Sequence, residues 1–244
     1  MILPITNRDN FVKSFLNPVS RLAPNCTLTV EDKISTIVHN NSNIFLKAEY
    51  NVDWGDQAHK GVLCLPDTIK LIKILTCLTE ENINLKHDNN CITYNSGKGH
   101  KFRYHLFDDS LSLKSPFNFD RIKEIESWSE FTLTRESNNT ILKALPFVTE
   151  DSKIYLSNKD KEVHAELTDK KLQNVDSYTA LISEDFFGQG INGELILDVE
   201  LFRLISTLNF DQCKVYINND FKMLKIDITL DKCSLTFVST SFKN

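Results

Sequence analysis

The two halves of this sequence repeat the same order of elements. The stretch FVKSFL at 11–16 resembles ILKALP at 141–146, which lies 130 residues further on. LCLPDTIKLIKIL at 63–75 resembles LILDVELFRLIST at 195–207, at a separation of 132 residues. Each half reads as a strand or entry segment, a helix, three strands, a strand, a helix and three strands. A repeat of this length predicts two similar domains and not a solenoid.

Alternation of apolar and polar residues dominates both halves and is typical of half-buried β-strands. NIFLKAEY at 43–50 and KFRYHLF at 101–107 show it, and turn-forming residues separate such runs, as in SGKG at 96–99. The same pattern predicts strands at 26–31, 33–38, 83–87, 90–95, 130–134, 153–157, 162–167, 175–182, 194–197, 213–218, 223–229 and 233–239.

Helical spacing is confined to four segments, 9–17, 67–78, 136–145 and 199–208. We expect the first helix to end at Pro18, because proline lacks an N–H and clashes with the preceding turn. Asp198 is a favourable N-cap for the last helix. The predicted buried faces are Phe11, Val12, Phe15 and Leu16; Ile69, Ile72 and Leu75; Ile141, Leu142 and Leu145; and Leu201, Leu204, Ile205 and Leu208.

A weakly periodic segment, DDSLSLKSPFNFDRIKEIESW at 108–128, lies between the two halves. Its serines, its proline and its lack of a regular apolar pattern are typical of a linker. The sequence therefore predicts an N-terminal domain at 1–107, a connector at 108–128 and a C-terminal domain at 129–244.

The charges of the predicted helices are ordered. Acids stand in or beside the first turns, where they complement the helix dipole, and Lys or Arg follow later. The chain as a whole has 28 Lys and Arg against 33 Asp and Glu, a net charge of −5, which excludes a broad basic surface. Either these helices present ordinary solvated faces, or the cations are concentrated on one face for nucleic acid.

The motifs of enzyme chemistry are missing from the sequence. The six Cys include no C-x-x-C pair, the six His have no metal-ligand spacing, and SGKGH at 96–100 lacks the spacing of a phosphate-binding loop. We therefore expect buried free thiols, no metal, no cofactor and no catalytic residue. We see no signal peptide and no stretch long enough to span a bilayer, so we expect a cytoplasmic protein without a membrane partner.

Three stretches carry a resemblance to a known family: NFVKSFLNPVSRLAPNCTLTV at 10–30, CLPDTIKLIKILTCL at 64–78 with the strands that follow it, and VHAELTD with LILDVELFRLIS in the second half. The chain resembles the sliding clamps, the processivity factors of DNA polymerases, and most of all those of tailed bacteriophages. The resemblance covers nearly the whole chain and lies in the order of elements.

The resemblance implies an α+β fold in which each domain packs two helices on antiparallel sheets. It also implies a homotrimeric ring around duplex DNA, bound without sequence specificity, loaded by an ATP-dependent clamp loader and tethering a DNA polymerase in an infected bacterial host cell.

The family layout also assigns roles to individual residues. The DNA-facing candidates are Lys13, Lys70, Lys73, Lys143 and Arg203, with Arg8 and Arg135 at helix starts. The expected subunit interface pairs the strand of Phe102, Tyr104 and Leu106 with that of Tyr178 and Ala180 in a neighbour. The expected partner-peptide pocket contains Phe117, Phe119 and Phe242, beside Leu111 and Leu113 of the connector.

Two other classes of protein remain open at this stage. A β-rich virion component, of a phage tail or baseplate, would explain the strands but not the cations on the helices. A hydrolase would need a nucleophile or a metal constellation, and the sequence offers neither.

Overall fold

The structure is a computed structural model. It describes residues 1–41, 43–54, 60–88, 90–97, 99–108, 110, 115, 117–147, 149, 151–172 and 175–242. Leu111 and Leu113 lie outside the described residues. Within the described part of the chain, no helix has the length and apolar character needed to cross a membrane.

The chain folds as two compact units. The first comprises Met1–Asn40, Leu46–Phe117 and Leu230–Leu235, and the second comprises Asn41–Phe45, Asn118–Thr229 and Thr236–Asn244. The first half of the chain contains β1 (Ile2–Ile5), α1 (Arg8–Asn10), a π-helical segment (Phe11–Leu16), α2 (Asn17–Leu22), β2 (Cys26–Val30), β3 (Lys33–His39), β4 (Ile44–Asn51), β5 (Gly61–Leu65), α3 (Thr68–Thr76), β6 (Ile83–Asp88), β7 (Cys91–Asn95) and β8 (Lys101–His105).

The second half repeats this layout after a short helix. It contains α4 (Phe119–Lys123), β9 (Ser129–Thr134), α5 (Arg135–Lys143), a 3-10 turn (Leu145–Phe147), β10 (Lys153–Lys159), β11 (Glu162–Thr168), β12 (Tyr178–Ser183), β13 (Leu195–Asp198), α6 (Val199–Ser206), β14 (Gln212–Asn218), β15 (Met223–Thr229) and β16 (Cys233–Thr240).

The sheets reproduce the internal repeat. In the first half, β1-β6-β7-β8 form one row of neighbouring strands and β5-β2-β3-β4 another. In the second half the corresponding rows are β9-β14-β15-β16 and β13-β10-β11-β12, so that every strand number is raised by eight. The strand pairs with a resolved register are all antiparallel. The predicted α+β fold with antiparallel sheets is confirmed.

Two strands lack the alternation on which the sequence prediction depended. β1 contains Pro4, which cannot donate to a ladder, and it lies at the end of its row beside β6. β5 ends in three consecutive buried residues, so its pattern is an apolar run. Both segments are nevertheless β-strands, because β1 pairs with β6 over four residues and β5 pairs with β2 over five.

The first helix does not stop at Pro18, and that prediction is wrong. The π-helical segment Phe11–Leu16 leads into α2, where Pro18 occupies an early position and the chain continues helically to Leu22. Proline fits there because its fixed φ is compatible with a helical turn. An internal proline disrupts an α-helix because its ring clashes with the carbonyl of residue i−4. In the wider π-helical turn before Pro18, that carbonyl is no longer aligned with the ring.

The face that α3 buries agrees with the predicted one at Leu75 but not at Ile69 or Ile72. Thr68, Leu71 and Leu75 are buried, whereas Ile69 is 45% exposed. By contrast, α6 buries Leu201, Leu204 and Ile205, as expected. Asp198 caps α6 through a hydrogen bond from the Glu200 N–H at 2.9 Å, so the predicted N-cap is confirmed.

Candidate functional site

The helices of the first unit present cations on their exposed sides. α3 packs against α2 and against the π-helical segment. Lys70 and Lys73 lie on the exposed side of α3 and make no ion pair within the described residues. Lys13, on the π-helical segment, is 72% exposed and pairs with Asp9 at 3.2 Å. All three ammonium groups are therefore accessible to an external anion.

The helices of the second unit are arranged similarly. α5 and α6 pack together, and the buried Asn138 of α5 donates from Nδ2 to the Phe202 carbonyl of α6 at 3.2 Å. Lys143 is exposed on α5 and makes no ion pair within the described residues. Arg203 is exposed on α6, where its guanidinium lies 3.6 Å from the Glu200 carboxylate.

The two arginines at helix starts are engaged within the chain. Arg8 is mostly buried; its guanidinium donates to the Leu78 carbonyl, two residues beyond α3, and pairs with Asp9 at 2.6 Å. Arg135 donates to the Asn209 side chain at 3.0 Å but stays exposed. The structure thus gives Arg8 a structural role in joining two helix ends, whereas Arg135 remains reachable.

Arg21 is an exposed helical cation that the sequence analysis missed. It lies in the last turn of α2 and makes no ion pair within the described residues. It was missed because the first helix was expected to end at Pro18. The apolar residues Val19 and Leu22, both buried, were the available sign that the helical pattern continues past the proline.

The candidate interface strand β8 lies at the end of its row of strands. Its side chains alternate as predicted, but Phe102, Tyr104 and Leu106 point into the unit to which they belong. Tyr104 is only 3% exposed, so its side chain cannot serve as a subunit contact while the unit is folded. The exposed residues of the strand are Lys101, Arg103 and His105.

Tyr104 has a different role, at the start of α3. Its hydroxyl accepts a hydrogen bond from the Asp67 N–H at 3.0 Å and donates one to the Asp67 carbonyl at 2.8 Å. The Asp67 carboxylate in turn accepts from the Lys70 N–H at 2.8 Å and caps the helix. Burial raises the pKa of Tyr104 to about 12, so the hydroxyl stays protonated at neutral pH.

The second candidate interface strand, β12, also lies at the end of its row. Ala180 is buried and belongs to the inner face of the strand, whereas Tyr178 is exposed at its start. The outward-facing apolar residue of β12 is Leu181, 43% exposed, which the sequence analysis did not single out. Strict alternation with Ala180 was the signal that could have found it.

The three phenylalanines of the candidate partner pocket differ in accessibility. Phe119 is 6% exposed, because it begins α4 and packs inward; the expectation that it would lie open to a partner is therefore wrong. The short helix α4 was itself missed within the connector. Phe117 and Phe242 are half-buried.

Phe242 lines a cleft of about 350 Å³ in the second unit. Its N–H donates to the Ile196 carbonyl at 3.1 Å, and the Lys153 ammonium lies 4.7 Å from the centre of its ring. The other lining residues are Tyr155, Lys170, Lys171, Glu194 and Ile196. The cleft thus combines aromatic walls with charged side chains.

Lys170 is held in that cleft by two acids, Glu194 at 2.6 Å and Glu166 at 2.9 Å, and lies 4.4 Å from the centre of the Tyr155 ring. Partial burial favours its neutral form, but hydrogen bonds to the two carboxylates outweigh burial and hold the pKa of Lys170 above its ordinary value. The ammonium therefore stays charged and holds Glu166 and Glu194 in place on one side of the cleft.

The duplicated order of eight strands and the paired helices define a fold. The chain has the fold of the DNA sliding clamps, which its solved structural neighbours share. No protein-family profile matches the sequence, and no curated protein matches it significantly.

Two neighbours are clamps of similar length. A. fulgidus PCNA, solved with the C-terminal region of FEN-1 bound, superposes with a TM-score of 0.76 at 13% identity, over 100% of this chain and 98% of that one. PCNA from Entamoeba histolytica superposes with a TM-score of 0.73 at 16% identity, over 99% of this chain and 98% of that one.

A third neighbour is the putative DNA polymerase III beta subunit from Eubacterium rectale, with a TM-score of 0.74 at 13% identity. This chain is covered completely but spans only 65% of that one. The likeness to PCNA therefore extends over nearly the full length of both chains. The likeness to the bacterial subunit covers all of this chain but only part of the bacterial one.

Proposed function

We propose that this chain is the subunit of a sliding clamp that encircles duplex DNA and tethers a replicative polymerase as a processivity factor. The observation that carries the proposal is the correspondence with two PCNA structures over nearly the full length of both chains. The protein is then a scaffold and not an enzyme. The order of its sequence elements favours the tailed-phage type, acting in an infected bacterial cell.

The DNA-facing surface consists of exposed cations on the helices. Its members are Lys13, Lys70, Lys73, Lys143 and Arg203, together with Arg21 and Arg135. A ring retains DNA by topology and needs only weak, sequence-independent attraction to phosphates. Each tight phosphate contact would steepen the salt dependence and oppose sliding, so a few mobile side chains suit this role.

The ring is proposed to be a homotrimer, closed by pairing of β8 in one copy with β12 in the next. Both strands lie at the end of their rows, and an end strand presents unpaired N–H and C=O groups that a strand of another chain can satisfy. Main-chain hydrogen bonds would supply the pairing, since Tyr104 and Ala180 are turned inward.

The partner site is proposed to be the cleft beside Phe242. Among the solved structures of similar fold, A. fulgidus PCNA has the C-terminal region of FEN-1 bound, and the Helicobacter pylori beta clamp has a DNA ligase peptide bound. In this chain, the cleft of about 350 Å³ offers the half-buried Phe242 ring to an apolar side chain. Lys171 and Glu194 at its margin can bind the polar ends of a polymerase peptide.

The decisive experiment combines retention on DNA with primer extension. With the partner polymerase and its ATP-dependent loader, the protein is expected to remain on nicked circular DNA and to slide off once that DNA is linearised. It should also lengthen the products of each polymerase binding event, and only when ATP is present. Equal retention on circular and linear DNA would contradict encirclement, and unchanged product length would contradict the processivity role.

A further inference from the structure

The outer face of β8 is basic, although the chain carries a net negative charge. Its three exposed side chains, Lys101, Arg103 and His105, make no ion pair within the described residues. Lys101 and Arg103 line an open cleft together with Lys86 of β6, two strands further in. These cations lie on a sheet and not on the helices, so the proposed DNA-facing surface does not account for them.

The end strand β12 is bounded by acids. Asp176 precedes it by two residues, Glu184 follows it directly, and both side chains are exposed. Neither carboxylate forms an ion pair with any described part of the chain. The exposed Leu181 lies between them on the strand. The two end strands therefore differ in charge, one carrying free cations and the other flanked by free anions.

We infer that these charges select the partner of each end strand, so that β8 pairs with β12 of a second copy and not with another β8; this inference rests on the proposed ring. In a centred antiparallel pairing, the start of one strand lies beside the end of the other. Lys101 then lies at the Glu184 end of the neighbour, and His105 lies at its Asp176 end.

Pairing of two β8 strands is disfavoured by the same charges. In a centred antiparallel pair of identical strands, Arg103 lies opposite its own copy. Like charges directly opposite each other in a sheet destabilise the pair. Main-chain hydrogen bonds do not depend on sequence, so the charges decide which strand β8 pairs with. They favour the contact between β8 and β12, a head-to-tail contact that can close into a ring.

Charge reversal tests the inference in the full-length protein. Lys101→Glu and Glu184→Lys are each expected to raise the dissociation constant of subunit assembly at least about fivefold, because each turns an attraction into a repulsion. The double variant K101E/E184K restores an opposite-charge pair at every contact and should assemble within about twofold of wild type. Sedimentation at low and at moderate salt gives the dissociation constants, and thermal melting verifies folding.

Lys60→Glu is the matched control, since Lys60 is an exposed cation of the same unit that lies outside the β1-β6-β7-β8 row. It should leave assembly unchanged. Single variants that assemble like wild type, or a double variant no better than the singles, would overturn the charge selection and leave the ring in place. A wild-type chain that stays monomeric at all concentrations would overturn the ring and this inference with it.

Discussion

The thiol of Cys233 donates a hydrogen bond to the main-chain carbonyl of Ser14 across 3.3 Å. In a regular α-helix that carbonyl would accept from the N–H of residue 18, but residue 18 is a proline and has none. A buried side chain 219 positions away in the sequence thus satisfies an oxygen that the proline leaves without its usual partner. This contact explains in part how a helix can run through Pro18.

Replacement of Cys233 by Ala is expected to destabilise the protein by about 1–2 kcal/mol, through the lost hydrogen bond and the small cavity left by the sulfur. Urea unfolding at neutral pH measures the change. Cys77→Ala is the control, because Cys77 is exposed at the end of α3 and its removal should have little effect. Equal unfolding free energies for the two variants would contradict a structural role for the Cys233 thiol.

Alkaline pH should also weaken the fold through Cys233. Burial, together with the negative charge of Glu49, raises the pKa of this thiol from 9.0 to about 12. The folded state therefore keeps its proton where the unfolded state loses it, so the contribution is complete below pH 9 and declines as the pH rises toward 12. Unfolding free energy measured across this range should fall less steeply in Cys233→Ala than in wild type; parallel curves would exclude the thiol as a source.

Reversal of the charge on α3 should reduce retention on DNA. In Lys70→Glu/Lys73→Glu, each lost phosphate contact is expected to lower the slope of log affinity against log salt by up to about 1. Both side chains are exposed, so folding should be unaffected. Retention on circular DNA after loading is the measurement, with Lys86→Glu as an exposed control away from the helices. Normal retention by the double variant at physiological salt would remove α3 from the DNA-facing surface.

The partner cleft is tested by Phe242→Ala, which removes one of its two aromatic walls. Calorimetric titration with the polymerase's clamp-binding peptide is expected to show at least about tenfold weaker binding, as for an aromatic anchor at an interface. Phe221→Ala is the control, because Phe221 is a highly exposed phenylalanine of the same unit outside the cleft. Equal dissociation constants for wild type and Phe242→Ala would place the peptide elsewhere.

Tyr104→Phe removes only a hydroxyl group but should be costly. It breaks both hydrogen bonds with the Asp67 main chain, for an expected loss of about 1–2 kcal/mol in unfolding free energy. The ring remains in place, so packing is preserved and the change reports the hydroxyl alone. Tyr178→Phe, at an exposed position, is the matched control. An unchanged stability of Tyr104→Phe would contradict the role assigned to this contact.

Local patterns were sufficient to predict most of the fold. The alternation of KFRYHLF and the spacing of the residues in α6 report a periodicity that burial imposes directly, and Asp198 could be identified as a cap from residue type and position. The strands β1 and β5 were not predicted, because β1 contains a proline and β5 is an apolar run, and neither shows the alternation of a half-buried strand. The prediction that the first helix ends at Pro18 failed because local sequence does not reveal the two features that accommodate this proline, the π-helical turn and the Cys233 thiol.

The candidate site was harder to predict because exposure depends on tertiary packing. Phe119 is a large apolar residue in a polar segment, and only the fold shows that it packs inward at the start of α4. Phe119→Ala should therefore cost about 3 kcal/mol of stability and does not test partner binding. On β8, alternation separated two faces of the strand correctly but could not decide which one turns toward the core.

The two hydrogen bonds between Tyr104 and Asp67 have a mechanical consequence. They fasten the end strand β8 to the first residue before α3 through a single rigid ring. A force that peels β8 outward must break them before it can separate the strand from the helix. Strain applied to β8 at the end of the sheet is therefore transmitted to Asp67, three residues before Lys70, without passing through the other strands.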